Sequence, residues 1–229
     1  MNSLTVGDLH FEVRRSARRR SVQITVDRGG ELLLSAPDDC STRVMEKFVR
    51  EKRFWIYTKL AEKEGLQREA SQKAFVSGEG FPYLGRSYRL LLVSTQDVPV
   101  KLERGRLKMD RAAAQAGREH MVRWYTARAQ AWLAPRMERH ARRLRVQPAG
   151  LSVQDLGYRW GSCGKGDRLY FHWQTILLPP SLIEYVVVHE VVHLVEPHHT
   201  AKFWRHVERA LPDFALRKQQ LATHPPLRW

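Results

Sequence analysis

His189-Glu190-Val191-Val192-His193 is the stretch whose residue types and spacing could do chemistry. On a helix, residues four apart lie one turn apart on the same face, so His189 and His193 would aim their imidazoles at a common point. Glu190, next to the first histidine, could approach a water held there. Two nitrogen ligands and one general base locked onto one helix are suited to hydrolysis by metal-activated water. Zinc fits such a site when a third protein ligand completes it and the fourth position stays open. The ion would lower the pKa of a water from about 15.7 towards about 7, and Glu190 would take the proton. The expected cofactor is one Zn2+ per chain or another transition metal, because Mg2+ prefers oxygen ligands.

The third ligand must come from beyond this helix or from its end. Pro197 breaks the chain directly after Glu196, and His198-His199 follow on the turn. A sharp reversal there would swing an imidazole back, and spacing alone divides the choice between His198 and His199. Glu208 is a distant rival, and Glu196 reads as a solvated helix end. Leu182, Ile183, Val186, Val187, Val191, Val192 and Leu194 make the helix strongly apolar. Burying His-Glu-His among them costs desolvation unless something binds the polar groups.

The elements that position this helix read as α+β. Ser21–Asp27 and Glu31–Ala36 suit strands, and Arg28-Gly29-Gly30 between them signals a hairpin turn. Ser41 or Thr42 can cap a helix to about Leu66, with Val44, Phe48, Trp55, Ile56 and Leu60 as its apolar stripe. Short antiparallel strands are expected at 81–86, 88–93, 98–102 and 106–109, with turns at Gly85 and Arg104-Gly105. Arg111 to about Leu144 reads as helical, with Pro135 interrupting it or starting a second helix. Leu151–Leu156 and Arg168–Trp173 read as strands flanking the Gly161–Asp167 loop. Pro179-Pro180 opens the key helix, Ser181 to about Glu196. Thr200 can cap a helix from Ala201 to Leu211, and Pro212-Asp213 opens a last one to about Ala222. Residues 1–110 are thus expected to form a small N-terminal strand and helix unit. Residues 111–229 are expected to form the catalytic domain, with a small sheet and several helices.

Beyond these local patterns, the chain resembles the YgjP-like metal-dependent hydrolases, relatives of the SprT-like zinc metallopeptidases. The resemblance rests on Arg159-Trp160-Gly161-Ser162-Cys163, on Phe171-His172-Trp173, on the run from Ile183 to Leu194, on His199-Thr200 and on Phe203-Trp204. Arg18-Arg19-Arg20, Ala36-Pro37, Lys52-Arg53-Phe54-Trp55-Ile56 and Tyr83-Leu84-Gly85-Arg86 extend it over nearly the whole chain. It implies a zincin-like catalytic domain of peptidase type and maps the third ligand to His199. Two positions depart from the family pattern. His172 stands for the usual Asn, and His198-His199-Thr200 for Asn-His-Ser. In zincin folds an edge strand before the metal helix can pair with an extended substrate. Leu169–Trp173 would be that strand, placing Arg159 or His172 where charge on the attacked group needs stabilising. Phe203 and Trp204 would pack under the metal helix, and Arg205 and His206 could face the site.

Composition bounds the rest. The 229 residues are 43% hydrophobic and 28% charged, with a formal net charge of +15. No run of about 18 apolar residues offers a membrane span. No basic start followed by an apolar stretch marks a secretory signal, so a cytoplasmic protein is expected. Cys40 and Cys163 lie far apart and form no framework, so two reduced thiols are expected. The basic excess suits a polyanionic partner, which keeps two rival readings open. One is hydrolysis of nucleoside triphosphates to release pyrophosphate; the other is a protease working close to nucleic acid. The substrate is therefore a peptide or a nucleotide. The run Arg14-Arg15-Ser16-Ala17-Arg18-Arg19-Arg20 could grip phosphates or form a solvated strand edge.

Overall fold

The computed structural model describes residues 3–26, 31–68, 73–157 and 159–224. They fall into two compact units, Met1–Ser71 and Gln72–His224. In the first unit, β1 (Ser3–Val6), β2 (Leu9–Arg15), β3 (Gln23–Val26) and β4 (Leu32–Ala36) form one sheet in the order β1-β2-β4-β3. The β3–β4 pair is antiparallel as expected, and its Arg28-Gly29-Gly30 turn lies outside the described residues. No strand is expected before Ser21, yet β1 and β2 precede it. Leu9, Phe11 and Val13 alternate inward along β2, the period of a half-buried strand. β2 pairs with β1 only over Leu9–Glu12, so Arg14 and Arg15 pair with β4 alone and are exposed, as a solvated strand edge would be. Arg15 Nη1 donates to the carbonyls of Pro37, Asp38 and Cys40 at 3.3, 3.0 and 2.8 Å, fixing the turn before α1.

Helix α1 (Thr42–Arg68) starts where Ser41 Oγ accepts from the Val44 N–H at 3.4 Å. Its buried stripe is Met45, Val49 and Ile56. Val44 and Trp55, expected in that stripe, are 54% and 41% exposed. The helical phase is set by the i, i+4, i+11 row; the expected Phe48 and Leu60 pack against it half-buried, and Val44 and Trp55 fall outside it.

The second unit begins with β5 (Gly80–Tyr83), β6 (Arg86–Val93), β7 (Val100–Glu103) and β8 (Arg106–Asp110), in the order β5-β6-β8-β7. Both hairpins are antiparallel, but β6 and β8 pair in parallel, a departure from the all-antiparallel expectation. The long β6 serves two partners. Arg86–Arg89 pairs with β5 and Leu90–Val93 with β8. The expected domain boundary at residue 110 also shifts, because residues 72–110 pack with the second unit. The reason is at the β5–β6 tip, where Leu84 N–H and Gly85 N–H donate to the carbonyls of Ile176 and Leu177 at 2.9 and 3.1 Å. Gly85 has φ +74°, and a Cβ there would lie 2.8 Å from Pro179 Cα. The Tyr83-Leu84-Gly85-Arg86 motif thus buttresses the segment that leads into the helix starting at Pro180.

Helix α2 (Gly117–Leu144) follows a short 3-10 turn and buries Met121, Tyr125, Ala129, Leu133 and Met137, one residue per i+4 step. Pro135 does not interrupt it. Pro135 and Ala131 both lie on the exposed side, so the carbonyl that loses its helical donor is within reach of water. Then β9 (Gly150–Gln154), β10 (Gly161–Cys163) and β11 (Arg168–His172) form a sheet in the order β10-β11-β9. Leu169–Trp173 is therefore not the edge strand expected; β11 is central and β10 is the edge. Helix α3 (Pro180–Val192), α4 (Ala201–Ala210) and α5 (Phe214–Ala222) complete the unit. Tyr185, Val188 and Val192 of α3 pack against Phe203, Val207 and Leu211. Helix α3 ends at Val192, before the expected Glu196. Among the described residues, mixed α and β content with three small sheets and five helices is the expected α+β class. Among the described residues, no helix is long and apolar enough to cross a membrane.

Candidate metal centre

Helix α3 carries both His189 and His193. His193 is its C-terminal cap but keeps helical geometry (φ −61°, ψ −20°), so the one-turn relationship survives the early end of the helix. The turn after it is fixed by the Val195 and Glu196 N–H groups donating to Val192 O, both at 2.9 Å. Thr200 then caps α4 through its side chain, which accepts from Phe203 N–H at 3.3 Å. Between these two anchors the chain reverses and His199 comes back over α3.

Among the described residues, His189, His193 and His199 form the group that could hold a metal ion, with their ligand atoms within 4.8 Å of one another. His189 Nε2 and His199 Nε2 lie 3.0 Å apart. The ring centroids are 4.9 Å apart for His189–His193 and 4.7 Å for His193–His199. His198, Glu196 and Glu208 stay outside the group. Phe203 is fully buried, with its centroid 5.0, 4.7 and 4.7 Å from the rings of His189, His193 and His199. Trp204 stacks on His199 at 5.7 Å and 21°. The Phe-Trp pair is thus the floor under three imidazoles, while Arg205 and His206 line neither cavity at the site.

The donor set fits a metal. His193 Nδ1 lies 3.3 Å from the Glu196 carbonyl, so a proton there leaves the Nε2 lone pair free. Burial, with His193, His199 and Lys218 nearby, pushes the His189 pKa down to about 3. Burial also lowers His193 and His199, helped by His199 at the former and Lys218 at the latter. All three rings are therefore neutral near pH 7, the form that ligates. His189 Nδ1 is buried without a hydrogen-bond partner, a cost that metal ligation through the same ring would offset.

Glu190 lines the same cleft as the histidines and lies against β10 at Gly161. It is 5% exposed, and burial pushes its pKa up to about 8, against the pull of the Arg159 charge and the Cys163 backbone. Arg159 lies at the mouth of the site, its Nη1 3.3 Å from Ser162 Oγ. An open cleft of about 740 Å³ is lined by Arg159, Glu190, the three histidines, Pro197 and the loop 161–167. Cys163 lines this cleft, and burial, with Glu190 close by, raises its thiol pKa. His172 does not reach the cleft, contrary to expectation. It is 3% exposed at the end of β11, where Nδ1 accepts from Gln174 N–H at 3.0 Å and Nε2 lies 3.2 Å from Asp155 Oδ1. It caps the following 3-10 turn, a structural use.

Glu184, not among the expected site residues, projects from α3 and its carboxylate meets Arg139 and His140 of α2. It ties α3 to α2. The hint was a Glu among the apolar residues Leu182, Ile183, Val186 and Val187.

Comparison with known proteins supplies the family. No curated protein matches the chain. A crystal structure of the metallopeptidase zymogen of Pyrococcus abyssi abylysin aligns with 40% of this chain and 92% of its own, at 20% identity and a TM-score of 0.37. The family model "YgjP-like, metallopeptidase domain" matches residues 20–224. The chain therefore belongs to the YgjP-like metallopeptidase family, a family of metal-dependent hydrolases.

Proposed function

We propose that this protein is a zinc-dependent peptide-bond hydrolase, with His189, His193 and His199 as metal ligands and Glu190 as the general base. The observation that carries the reading is the 3.0 Å approach of His199 Nε2 to His189 Nε2 at the cleft that Glu190 also lines. Three neutral imidazoles suit zinc among the common ions, since Mg2+ and Ca2+ seek oxygen. Zinc, when bound, supplies Lewis acidity and makes a water markedly more acidic.

The chain's own residues supply the remainder. The Glu190 carboxylate is held in an apolar setting, so when ionised it is a stronger base than an exposed glutamate. It takes a proton from water and can pass it to the departing amine. Arg159 brings a positive charge to the same cleft and offsets charge growing on the attacked carbonyl oxygen. β10, at the sheet edge, offers backbone groups to an extended peptide. The test is metal analysis of the purified chain combined with assays on unfolded proteins and on nucleoside triphosphates. The reading expects about one zinc per chain and proteolysis that a chelator abolishes. Release of pyrophosphate without proteolysis would overturn it.

A further inference from the structure

Helix α2 carries a charge of one sign. Seven arginines and no lysine stand against Glu119 and Glu138 over its 28 residues. Met121, Tyr125, Ala129, Leu133 and Met137 turn one row into the core. The neighbouring row, one residue earlier at each i+4 step, reads His120, Trp124, Arg128, Trp132 and Arg136. Rings and guanidinium groups alternate along it and stack. Arg128 Cζ lies 5.3 Å from the centroid of the Trp124 ring, and Arg136 Cζ 3.4 Å from that of Trp132. Trp124 also packs on Tyr83 at 5.2 Å, and Tyr83 on Tyr88 at 6.1 Å, so the aromatic surface continues onto the β5–β6 hairpin. Trp124 and Trp132 are half-buried, and the exposed residues beside them, Ala127, Ala131 and Pro135, are too short to cover them.

The charges divide into two sets. Glu119 takes up Arg123, and Glu184 takes up Arg136 and Arg139. Among the described residues, Arg128, Arg142, Arg143 and Arg145 are exposed and pair with no carboxylate. Trp124 and Trp132 lie about 12 Å apart along the helix, with Arg128 midway, and Arg143 continues the row two turns past Arg136. Unpaired cations beside a row of rings complement a chain that carries phosphates and flat aromatic groups in turn. Arginine suits this better than lysine, because its plane both stacks and forks onto phosphate. Rings held half-buried against guanidinium groups are poor wedges for a lipid surface. They offer edges and faces on which unstacked bases can lie.

We infer that this row of α2 binds single-stranded nucleic acid, with phosphates on Arg128, Arg142 and Arg143 and bases stacked along Trp124 and Trp132. None of these residues lines the cleft at the metal centre, so the surface is a separate one. The inference stands whichever bond the cleft hydrolyses.

The test is fluorescence anisotropy of a labelled oligothymidylate of about 12 nucleotides, within the usual range of site sizes, titrated with the purified full chain. Affinity should fall with salt at a log–log slope of about −2 to −3, for three or four phosphates neutralised. The matching duplex, whose bases are already stacked, should bind about tenfold or more weaker. Arg142→Glu with Arg143→Glu should weaken the single strand by about tenfold or more. Arg18→Glu with Arg20→Glu makes the same charge change in the N-terminal unit and should cost less than about threefold. Trp132→Ala should weaken oligothymidylate by about fivefold to 100-fold and leave heparin, a polyanion without bases, bound as before. Because that ring is half-buried, its Tm is measured alongside. Arg128→Lys, at an exposed position and with the charge kept, should show the same split between the two polyanions. No binding, a duplex bound as tightly as the single strand, or equal losses from the two double variants overturns the inference. So does heparin losing as much as oligothymidylate in both Trp132→Ala and Arg128→Lys.

Discussion

A Cβ added to Gly161 would lie 2.6 Å from both Cγ and Oε1 of Glu190. The edge strand therefore lies against Glu190, and only a glycine allows that approach. Gly161→Ala should push the Glu190 carboxylate aside. The expected result is a fall in kcat on the order of 100-fold with metal content unchanged, since misplacement by about 1 Å has that cost. Gly105→Ala is the control. That turn glycine has φ +74° and open space around it, so its substitution should cost about 1 kcal/mol of stability and leave kcat alone.

His199 and His198 are neighbours with different expected fates. His199→Ala should weaken zinc binding by more than the roughly 10- to 100-fold typical of losing a supporting contact around a metal. His198→Ala should leave zinc content as it is, because His198 lies outside the group of converging ligand atoms. Competition with a chromogenic chelator reads both.

The metal-free protein should show an uneven pH dependence of stability. Burial raises the Glu190 pKa to about 8 from 4.5, so the unfolded chain loses this proton first. Stability falls as pH rises between those values. His189 is lowered to about 3 from 6.5, so the folded chain lacks a proton the unfolded chain holds, and stability rises with pH over that range. The two slopes oppose each other between about 4.5 and 6.5, and above about 6.5 only the loss from Glu190 is left. Tm measured without metal should drop from pH 6.5 to 8. Glu190→Gln should remove most of that drop.

The candidate site was more legible than the frame that holds it. His189, Glu190 and His193 share one helix, so local spacing alone sets their geometry. His199 was harder, because its approach depends on a turn fixed by Pro197 and on the Thr200 cap; residue spacing could not separate it from His198. The family pattern separated them, and the convergence of the rings agrees with it. Relations between distant segments were hidden. Leu84 and Gly85 bonding to Ile176 and Leu177 moves the unit boundary to residue 71, and no local signal connects positions about 90 apart. β11 read as an edge strand because nothing in Gly161-Ser162-Cys163, three residues rich in turn formers, shows that it pairs outside β11. His172 looked like a site residue by type, and its burial at a strand end made it a cap instead.

The central claim is that Glu190 moves the proton while the histidines hold the metal. The most direct test is Glu190→Gln, an isosteric change that cannot accept the proton. Zinc content by elemental analysis is measured alongside peptide hydrolysis by the same sample. We predict about one zinc per chain, as in the native protein, with kcat reduced by about 100- to 10,000-fold. Zinc retained with undiminished hydrolysis would contradict the account.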